Sequence, residues 1–274
     1  MTLLSIQKIS SLDRPELEPY RTLKRSGAHA ALGIFVVEGD KVLVKLLESD
    51  FTVISLLIIE ERFAEFEAQL QARPEKEIAV FTCEKKLLSE LVGFDLYQGV
   101  LAIAKIPEVL SLEKILATSP SPRFLVAMDG MSNAENVGTI MRNCAALGVQ
   151  ALIASETCSD LFLRRTVRNS MGTVFRLPSF KSNNLVATLR ELRAHGIRSI
   201  AAHPHTDKKM LSQANFSGDC CVVLGSEGHG ISPAVLAACD EAVAIPMTND
   251  VDSLNVSAAA AVFLYEVNRQ RGQA

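Results

Sequence analysis

The sequence predicts an α/β fold with two domains, the second of which is a doubly wound parallel sheet. Short apolar runs alternate with helical patterns along the 274 residues. Several runs in the second half end in glycine-rich turns, and the proline- and serine-rich stretch Ser119-Pro-Ser-Pro122 interrupts the alternation. We therefore predict a first domain over residues 1–106, a linker over 107–122 and a second domain over 123–274.

Composition and charge narrow the class of protein. With 48% hydrophobic and 22% charged residues, the chain has an ordinary globular composition. No apolar run approaches the roughly 18 residues of a membrane-spanning helix, and the first residues lack the pattern of a signal peptide. We expect a cytoplasmic protein with no membrane partner.

The cysteines and histidines predict no metal site. The six cysteines show no Cys-x-x-Cys spacing, which favours free thiols over a disulfide framework or a zinc site. His203-Pro-His205 lacks a third ligand or a suitable carboxylate nearby, so a loop is the better interpretation.

The first domain is predicted to open with a polar helix from Asp13 to Ser26. Glu38 stands in a tight turn after the first predicted strand, where it could act as a cap or a charge partner. The continuous apolar run at 51–59 suits a fully buried strand. The other predicted strands lie at 35–39, 78–81 and 99–105, and the other helices at 41–48, 60–71 and 83–92.

The second domain repeats the alternation. Ser159 and Asp160 are predicted to cap a helix that runs to Arg168. A short helix is also predicted in the linker, at 111–117. The predicted strands lie at 123–128, 148–153, 174–177, 197–202, 220–224 and 242–245, and the remaining helices at 137–147, 184–195 and 255–269.

Two turns predict the walls of one pocket. The first, Gly225-Ser-Glu-Gly-His-Gly230, follows an apolar strand, and the second follows Ile245. In a doubly wound sheet, the ligand crevice lies outside the carboxyl ends of the strands. Glu227 would repel a pyrophosphate, and the turn fits no phosphate-binding fingerprint. The pocket therefore suits a ligand with a positive centre.

Arg142 is the candidate polar group for this pocket. It follows Gly138 by one helical turn, which leaves room for a ligand beneath the guanidinium. Such a group can hold a phosphate or a developing oxyanion. The alternative is an ordinary surface arginine.

An RNA partner would have to contact local basic clusters, because the net charge is −3. One cluster comprises Arg21, Lys24 and Arg25. The other comprises Arg164, Arg165 and Arg168. The alternative for each cluster is a solvated helix face.

Three motifs together resemble those of the SpoU (TrmH-like) RNA 2′-O-ribose methyltransferases of the SPOUT superfamily, in order and spacing. They are Asn136-Val-Gly-Thr-Ile-Met-Arg142, Leu224-Gly-Ser-Glu-Gly-His-Gly230, and Ile245-Pro-Met247 with Ser253-Leu-Asn-Val-Ser257. The resemblance covers roughly residues 123–270. The first domain is similar to the ribosomal-protein-like RNA substrate-binding domain of many members.

The resemblance implies a C-terminal trefoil knot, the cofactor S-adenosyl-L-methionine (AdoMet), an RNA substrate and a homodimer. It implies catalytic or site-shaping roles for Arg142, Asn136, Glu227, Ser253 and Asn255. It implies cofactor contacts for Leu224, Gly225, Gly230, Ile245, Met247 and Leu254.

One position departs from the family pattern, because Asn249 stands where a glycine is usual. Asparagine tolerates left-handed backbone, so we expect the loop to keep its shape. We favour ribosomal RNA as the substrate over transfer RNA. Two alternatives are a non-catalytic RNA-binding assembly factor of the same fold and an unrelated α/β enzyme acting on a small metabolite.

Overall fold

The computed structural model describes residues 2–23, 25–92, 99–204 and 209–272. Lys24 and His205 lie outside the described residues. The chain forms two compact units. Unit 1 comprises Met1–Pro107 and Phe162–Phe175, and unit 2 comprises Glu108–Leu161 and Arg176–Ala274. The segment Phe162–Phe175 groups with unit 1, although the predicted boundaries placed it in the second domain.

Unit 1 contains a mixed five-stranded sheet. The strands are β1 (Leu3–Lys8), β2 (Ile34–Glu38), β3 (Val53–Ile59), β4 (Glu77–Cys83) and β5 (Val100–Lys105), in the order β1-β4-β3-β5-β2. The pairs β1–β4 and β3–β4 are parallel, whereas β5 is antiparallel to both β3 and β2. The sheet confirms the predicted α/β character of this unit.

The helices of unit 1 agree with the predictions only in part. They are α1 (Glu18–Arg21), α2 (Ser26–Ala31), α3 (Asp40–Leu47), α4 (Glu67–Gln71) and α5 (Lys85–Val92), with 3₁₀ helices at Pro15–Leu17 and Glu60–Glu65. The prediction of one polar helix from Asp13 to Ser26 is wrong. The Thr22 hydroxyl donates to the Glu18 carbonyl at 2.9 Å, and Thr22 leaves helical geometry there.

The strand β1 has no counterpart among the sequence predictions. It lies at the edge of the sheet, and Leu3 and Ile6 remain 63% and 50% exposed. An edge strand needs no alternating apolar pattern, so its sequence carries little signal.

Unit 2 contains six strands, all parallel to their neighbours. They are β6 (Phe124–Asp129), β7 (Ala151–Ala154), β8 (Ser179–Lys181), β9 (Arg198–Ala202), β10 (Cys220–Gly225) and β11 (Glu241–Val243), in the order β11-β9-β10-β6-β7-β8. Because β10 and β6 are neighbours, Gly225 lies opposite Asp129 at their carboxyl ends. This confirms the predicted doubly wound sheet. The trefoil knot stays a prediction.

Helices cover this sheet. They are α6 (Leu112–Thr118), α7 (Ala134–Ala146), α9 (Leu185–Ala194), α10 (Pro233–Ala238) and α11 (Val256–Gln270), and α8 (Arg164–Asn169) lies in the segment that belongs to unit 1. A shared core joins α6, α9 and α10 to one face of the sheet. α11 packs along α7 and contacts β10.

Two predictions in this part of the chain are wrong. Residues Thr173–Phe175 form a 3₁₀ helix instead of a strand, because Met171 and Gly172 have φ values of 52° and 80° and turn the chain. The helix α8 begins after Leu163 instead of at Ser159. The Ser159 hydroxyl donates to the Ser132 carbonyl and caps no helix.

Three features limit the possible functions: the character of the helices, the grouping of metal-ligating side chains and the state of the cysteines. Among the described helices, none combines the length and the apolarity needed to cross a bilayer. The described residues contain no cluster of three or more metal-ligating side chains. All six cysteines are free, as predicted, and burial raises the pKa of Cys220 to about 11 and that of Cys239 to about 12.

Arg271 holds the carboxyl end of α11 in place. Its guanidinium donates to the carbonyl oxygens of Phe216, Pro122, Arg123 and Gly218 at 2.6–3.0 Å. These carbonyls lie just before β6 and β10. One side chain therefore ties the last helix to the two central strands.

We predict that Arg271→Ala lowers the free energy of unfolding by about 3 kcal/mol, because charge-assisted hydrogen bonds to carbonyls are lost together. Urea denaturation measures this. The matched control is Arg269→Ala, since Arg269 is exposed and its side-chain hydrogen bonds within the described residues go to Glu266 of its own helix. An equal loss of stability in both variants would contradict the role given to Arg271.

Candidate active site

Two loops of unit 2 border one cavity of about 260 Å³. One loop follows β10 and the other follows β11. All six residues predicted to contact a cofactor line this cavity, namely Leu224, Gly225, Gly230, Ile245, Met247 and Leu254. Glu227 and Ser253 line it too. The predicted walls of one pocket therefore lie together, and the roles of the individual residues stay predictions.

The first loop closes on itself directly after β10. Ser226 and Gly230 exchange backbone hydrogen bonds of 3.1 and 2.8 Å, and Gly230 has a φ of 66°. A Cβ on Gly225 would lie 2.2 Å from the backbone of Gly230 and Ile231. Any side chain at Gly225 would therefore force the loop open.

The second loop contains two left-handed residues. Asn249 has a φ of 58° and Asp250 a φ of 55°. Asn249 therefore adopts the backbone that a glycine would adopt, as expected from the tolerance of asparagine. Asparagine at this position is therefore compatible with a left-handed turn.

Asn255 joins three parts of the site. As the N-cap of α11, its Oδ1 accepts from the backbone N–H of Ser257 at 2.9 Å. That bond sets the orientation of the amide, so Nδ2 is left to donate. It donates to Glu227 Oε1 and lies 3.4 Å from Asn136 Oδ1. Three of the predicted site residues are thus linked by one amide.

Asn136 lies in the first turn of α7 and is buried. Its Oδ1 faces Asn255, and its Nδ2 has no hydrogen-bond partner among the described residues. A buried amide donor without an acceptor is costly. The site therefore contains a buried amide nitrogen whose donors are unused among the described residues.

Arg142 does not line the cavity. It is exposed on α7. Its neighbour Asn143 donates to the Ser257 carbonyl at 2.8 Å and so holds α7 against the start of α11. The helix that carries Arg142 is therefore fixed to the helix that Asn255 caps.

Asp129 is a residue of the site to which the sequence assigns no role. It ends β6 and is buried, and its Oδ2 accepts from the backbone N–H of Ser232 at 2.8 Å. This bond ties Ser232, just after the glycine loop at 225–230, to the neighbouring strand β6. A signal was available, since an aspartate directly follows an apolar run there. His203 and His229, which line the cavity, were also given no part in it.

The predicted RNA-contact arginines all lie in unit 1. Arg21 lies 3.6 Å from Asp13, and Arg25 is exposed. Arg164 and Arg168 both contact Glu38, whereas Arg165 is exposed. Two of the three mid-chain arginines are therefore engaged with a carboxylate.

We predict that Gly225→Ala destabilises unit 2 by about 2 kcal/mol, because the added methyl group overlaps loop backbone that cannot move aside freely. Thermal or urea unfolding measures the change. Gly228→Ala is the control, since its Cβ would meet nothing within 4 Å. The steric interpretation fails if the two variants unfold alike.

Comparison with known proteins places this site in a family. The SpoU rRNA methylase family pattern matches residues 123–265. An uncharacterized tRNA/rRNA methyltransferase of Mycobacterium tuberculosis (strain ATCC 25618 / H37Rv) is 31% identical over 274 residues, 97% of this chain and 93% of that protein. The 23S rRNA (guanosine-2′-O-)-methyltransferase RlmB of Ralstonia nicotianae is 32% identical over 203 residues, 74% of this chain and 81% of that enzyme.

Among solved structures, the SpoU methyltransferase AviRb from Streptomyces viridochromogenes in complex with the cofactor AdoMet superposes with a TM-score of 0.81. It is 25% identical, over 95% of this chain and 100% of that chain. The similarity therefore extends over both units as well as the matched motifs. The chain belongs to the SpoU rRNA methylase family.

Proposed function

We propose that this chain is an AdoMet-dependent methyltransferase that methylates a ribose 2′-hydroxyl of ribosomal RNA. The observation that carries the proposal is the cavity between the two loops, with Asn255 linking Glu227 and Asn136 beside it. Membership of the SpoU family supports the reaction class. The relative named as a 23S rRNA methyltransferase supports ribosomal RNA as the substrate.

The cavity fits AdoMet in its chemistry. Its lining is largely apolar side chain and loop backbone, which suits an adenosine group bound through backbone hydrogen bonds. Glu227 is the one carboxylate among its described lining residues, which suits a sulfonium centre. Gly225, Ile245 and Leu254 would hold the cofactor. Bound there, AdoMet supplies an electrophilic methyl group.

The chain's own groups would align and activate the acceptor. Alignment alone can supply a large part of the acceleration. An arginine side chain carries hydrogen-bond donors and no acceptor, so Arg142 suits the stabilisation of negative charge better than the removal of a proton. We assign it to stabilising the developing alkoxide, while an RNA phosphate or a water takes the proton. Asn255 and Asn136 hold the loops and α7 in fixed positions around this acceptor.

We propose that the enzyme is a homodimer and that unit 1 contributes to RNA binding. Support for the dimer comes from the family resemblance and from the outer face of α11, where Val262 and Tyr265 are 39% and 54% exposed. These two residues are three positions apart and therefore lie on one side of the helix. Sedimentation equilibrium measures the oligomeric state.

Mapping 2′-O-methyl sites in total RNA, with and without the gene, tests the proposed function. We expect one ribosomal site to disappear with the gene and to return with the wild-type protein. Loss of a transfer-RNA site instead would identify transfer RNA as the substrate. Intact methylation together with RNA binding but no AdoMet binding by calorimetry would identify an RNA-binding factor instead.

We predict that Arg142→Ala and Arg142→Lys each lower kcat for RNA methylation by about 10²–10³, because one preorganised donor to the oxyanion is lost. Arg142 lines no part of the cavity, so the Kd for AdoMet stays unchanged. Single-turnover methylation and calorimetry measure the two quantities.

Arg190→Ala serves as the control, because Arg190 is an exposed arginine on α9. Near-full methylation by Arg142→Lys would remove the case for a directional guanidinium. A large rise in the Kd for AdoMet would place Arg142 in cofactor binding instead.

A further inference from the structure

A buried carboxylate in unit 1 is held by two arginines from a distant part of the sequence. Glu38 ends β2 and is 7% exposed. Its Oε1 accepts from Arg168 Nη1 at 3.2 Å, and its Oε2 lies 3.3 Å from Arg164 Nη1. Both arginines belong to α8, which packs on β2 within the same compact unit.

The two arginines differ in exposure. The Arg164 side chain is 20% exposed, and its buried Nη1 contacts Glu38 without the alignment of a hydrogen bond. The Arg168 side chain is 55% exposed. Arg164 is therefore the more deeply buried of the two, and more than half of the Arg168 side chain is exposed.

Arg168 keeps a free edge. Glu38 engages only Nη1, and no other side-chain hydrogen bond of Arg168 occurs in the part of the chain that the structure describes. The Nε–Nη2 edge is the pair of donors that can bind a phosphate in a bidentate manner. Arg165 lies three positions away, so both arginines are neighbours on one helix surface. Arg165 is exposed, and its side chain has no ion pair within the described ranges.

The segment that carries these arginines is held firmly in unit 1. The rings of Phe162 and Phe175 pack against Phe35, with centroids 5.1 and 6.0 Å apart from it. A Cβ on Gly172 would meet the Lys45 side chain at 2.8 Å, so the turn after α8 lies directly on α3. The helix is thus fixed at both ends before any ligand binds.

We propose that Glu38 is a positioning residue for RNA binding: it holds Arg164 and Arg168 so that Arg168 and Arg165 bind the phosphodiester backbone of the RNA substrate. This inference deepens the proposed function and rests on it. Glu38 is buried, so the exposed side of the cluster offers cationic donors with the counter-charge beneath them. Preorganised arginines lose less rotamer freedom when a phosphate binds.

The direction in which RNA affinity changes on Glu38→Gln separates a positioning role from simple charge neutralisation. Glu38→Gln raises the net charge by one. If the carboxylate only opposed the charge of the arginines, the variant would bind RNA more tightly than the wild type. A positioning carboxylate gives the opposite result. We expect Glu38→Gln to bind RNA about tenfold more weakly, the effect of one lost charge-assisted hydrogen bond.

The test uses the full-length protein and a fluorescein-labelled single-stranded RNA of mixed sequence, with anisotropy measured over a series of salt concentrations. We expect Arg165→Ala and Arg168→Ala each to reduce the slope of log Kobs against log salt by about 0.7, the value for one contact to a single strand. Arg190→Ala is the matched control, and its slope should equal that of the wild type. Arg165 is exposed, so its variant tests the site without risk to folding.

Methylation of ribosomal RNA from a strain without the gene provides a second readout. We expect Glu38→Gln to raise KM for RNA with kcat and the Kd for AdoMet unchanged, whereas a merely structural role would lower the melting temperature alone. Tighter binding by Glu38→Gln, or a wild-type slope for Arg165→Ala, would overturn the inference. So would a changed sedimentation coefficient with unchanged RNA affinity, which would indicate an interface between copies. Absence of methylation by the wild type would refute the proposed function and leave the salt slopes as an independent test of the cluster.

Discussion

The carboxamide of Asn255 is the interaction on which the arrangement of unit 2 depends. Its oxygen caps α11, and this leaves its nitrogen to reach Glu227 in the glycine loop and Asn136 at the start of α7. A hydrogen bond has a direction, so one capping bond determines the orientation of the whole set. The loop after β10, the start of α7 and the start of α11 are therefore not independent parts.

Backbone geometry forms the cavity beside that amide. In a parallel sheet the carboxyl ends of neighbouring strands meet at one edge, which brings the loop after β10 beside the end of β6. Asp129 uses this proximity to hold Ser232, and Gly225 permits the loop to fold back on its own strand. Ligand recognition through backbone groups needs this kind of rigidity, because such groups cannot rotate to meet a ligand.

Patterns along the sequence predicted the sheet of unit 2 well and the first thirty residues poorly. The central strands are continuous apolar runs, a pattern typical of strands that are buried on both faces of a parallel sheet, so they are readily predicted. β1 lies at an edge, and α1 ends where the Thr22 hydroxyl bonds back to the chain. The end of α1 depends on a side-chain hydrogen bond that competes with the helix, and β1 depends on pairing with β4, about seventy residues later in the chain. The same holds for the turn at Met171 and Gly172, whose left-handed backbone displaced a predicted strand.

The sequence by itself determined the family, the order of the motifs and the two loops that border the cavity, because each motif is a local pattern with its own chemistry. It also anticipated that Asn249 could replace a glycine, since left-handed tolerance is a property of the residue. Only the tertiary structure decided that Glu38 meets Arg164 and Arg168 more than a hundred residues later. No sequence spacing encodes that meeting. It arises because the segment between β7 and β8 carries α8, which packs on β2 of unit 1. A carboxylate buried there is stable only with a cationic partner.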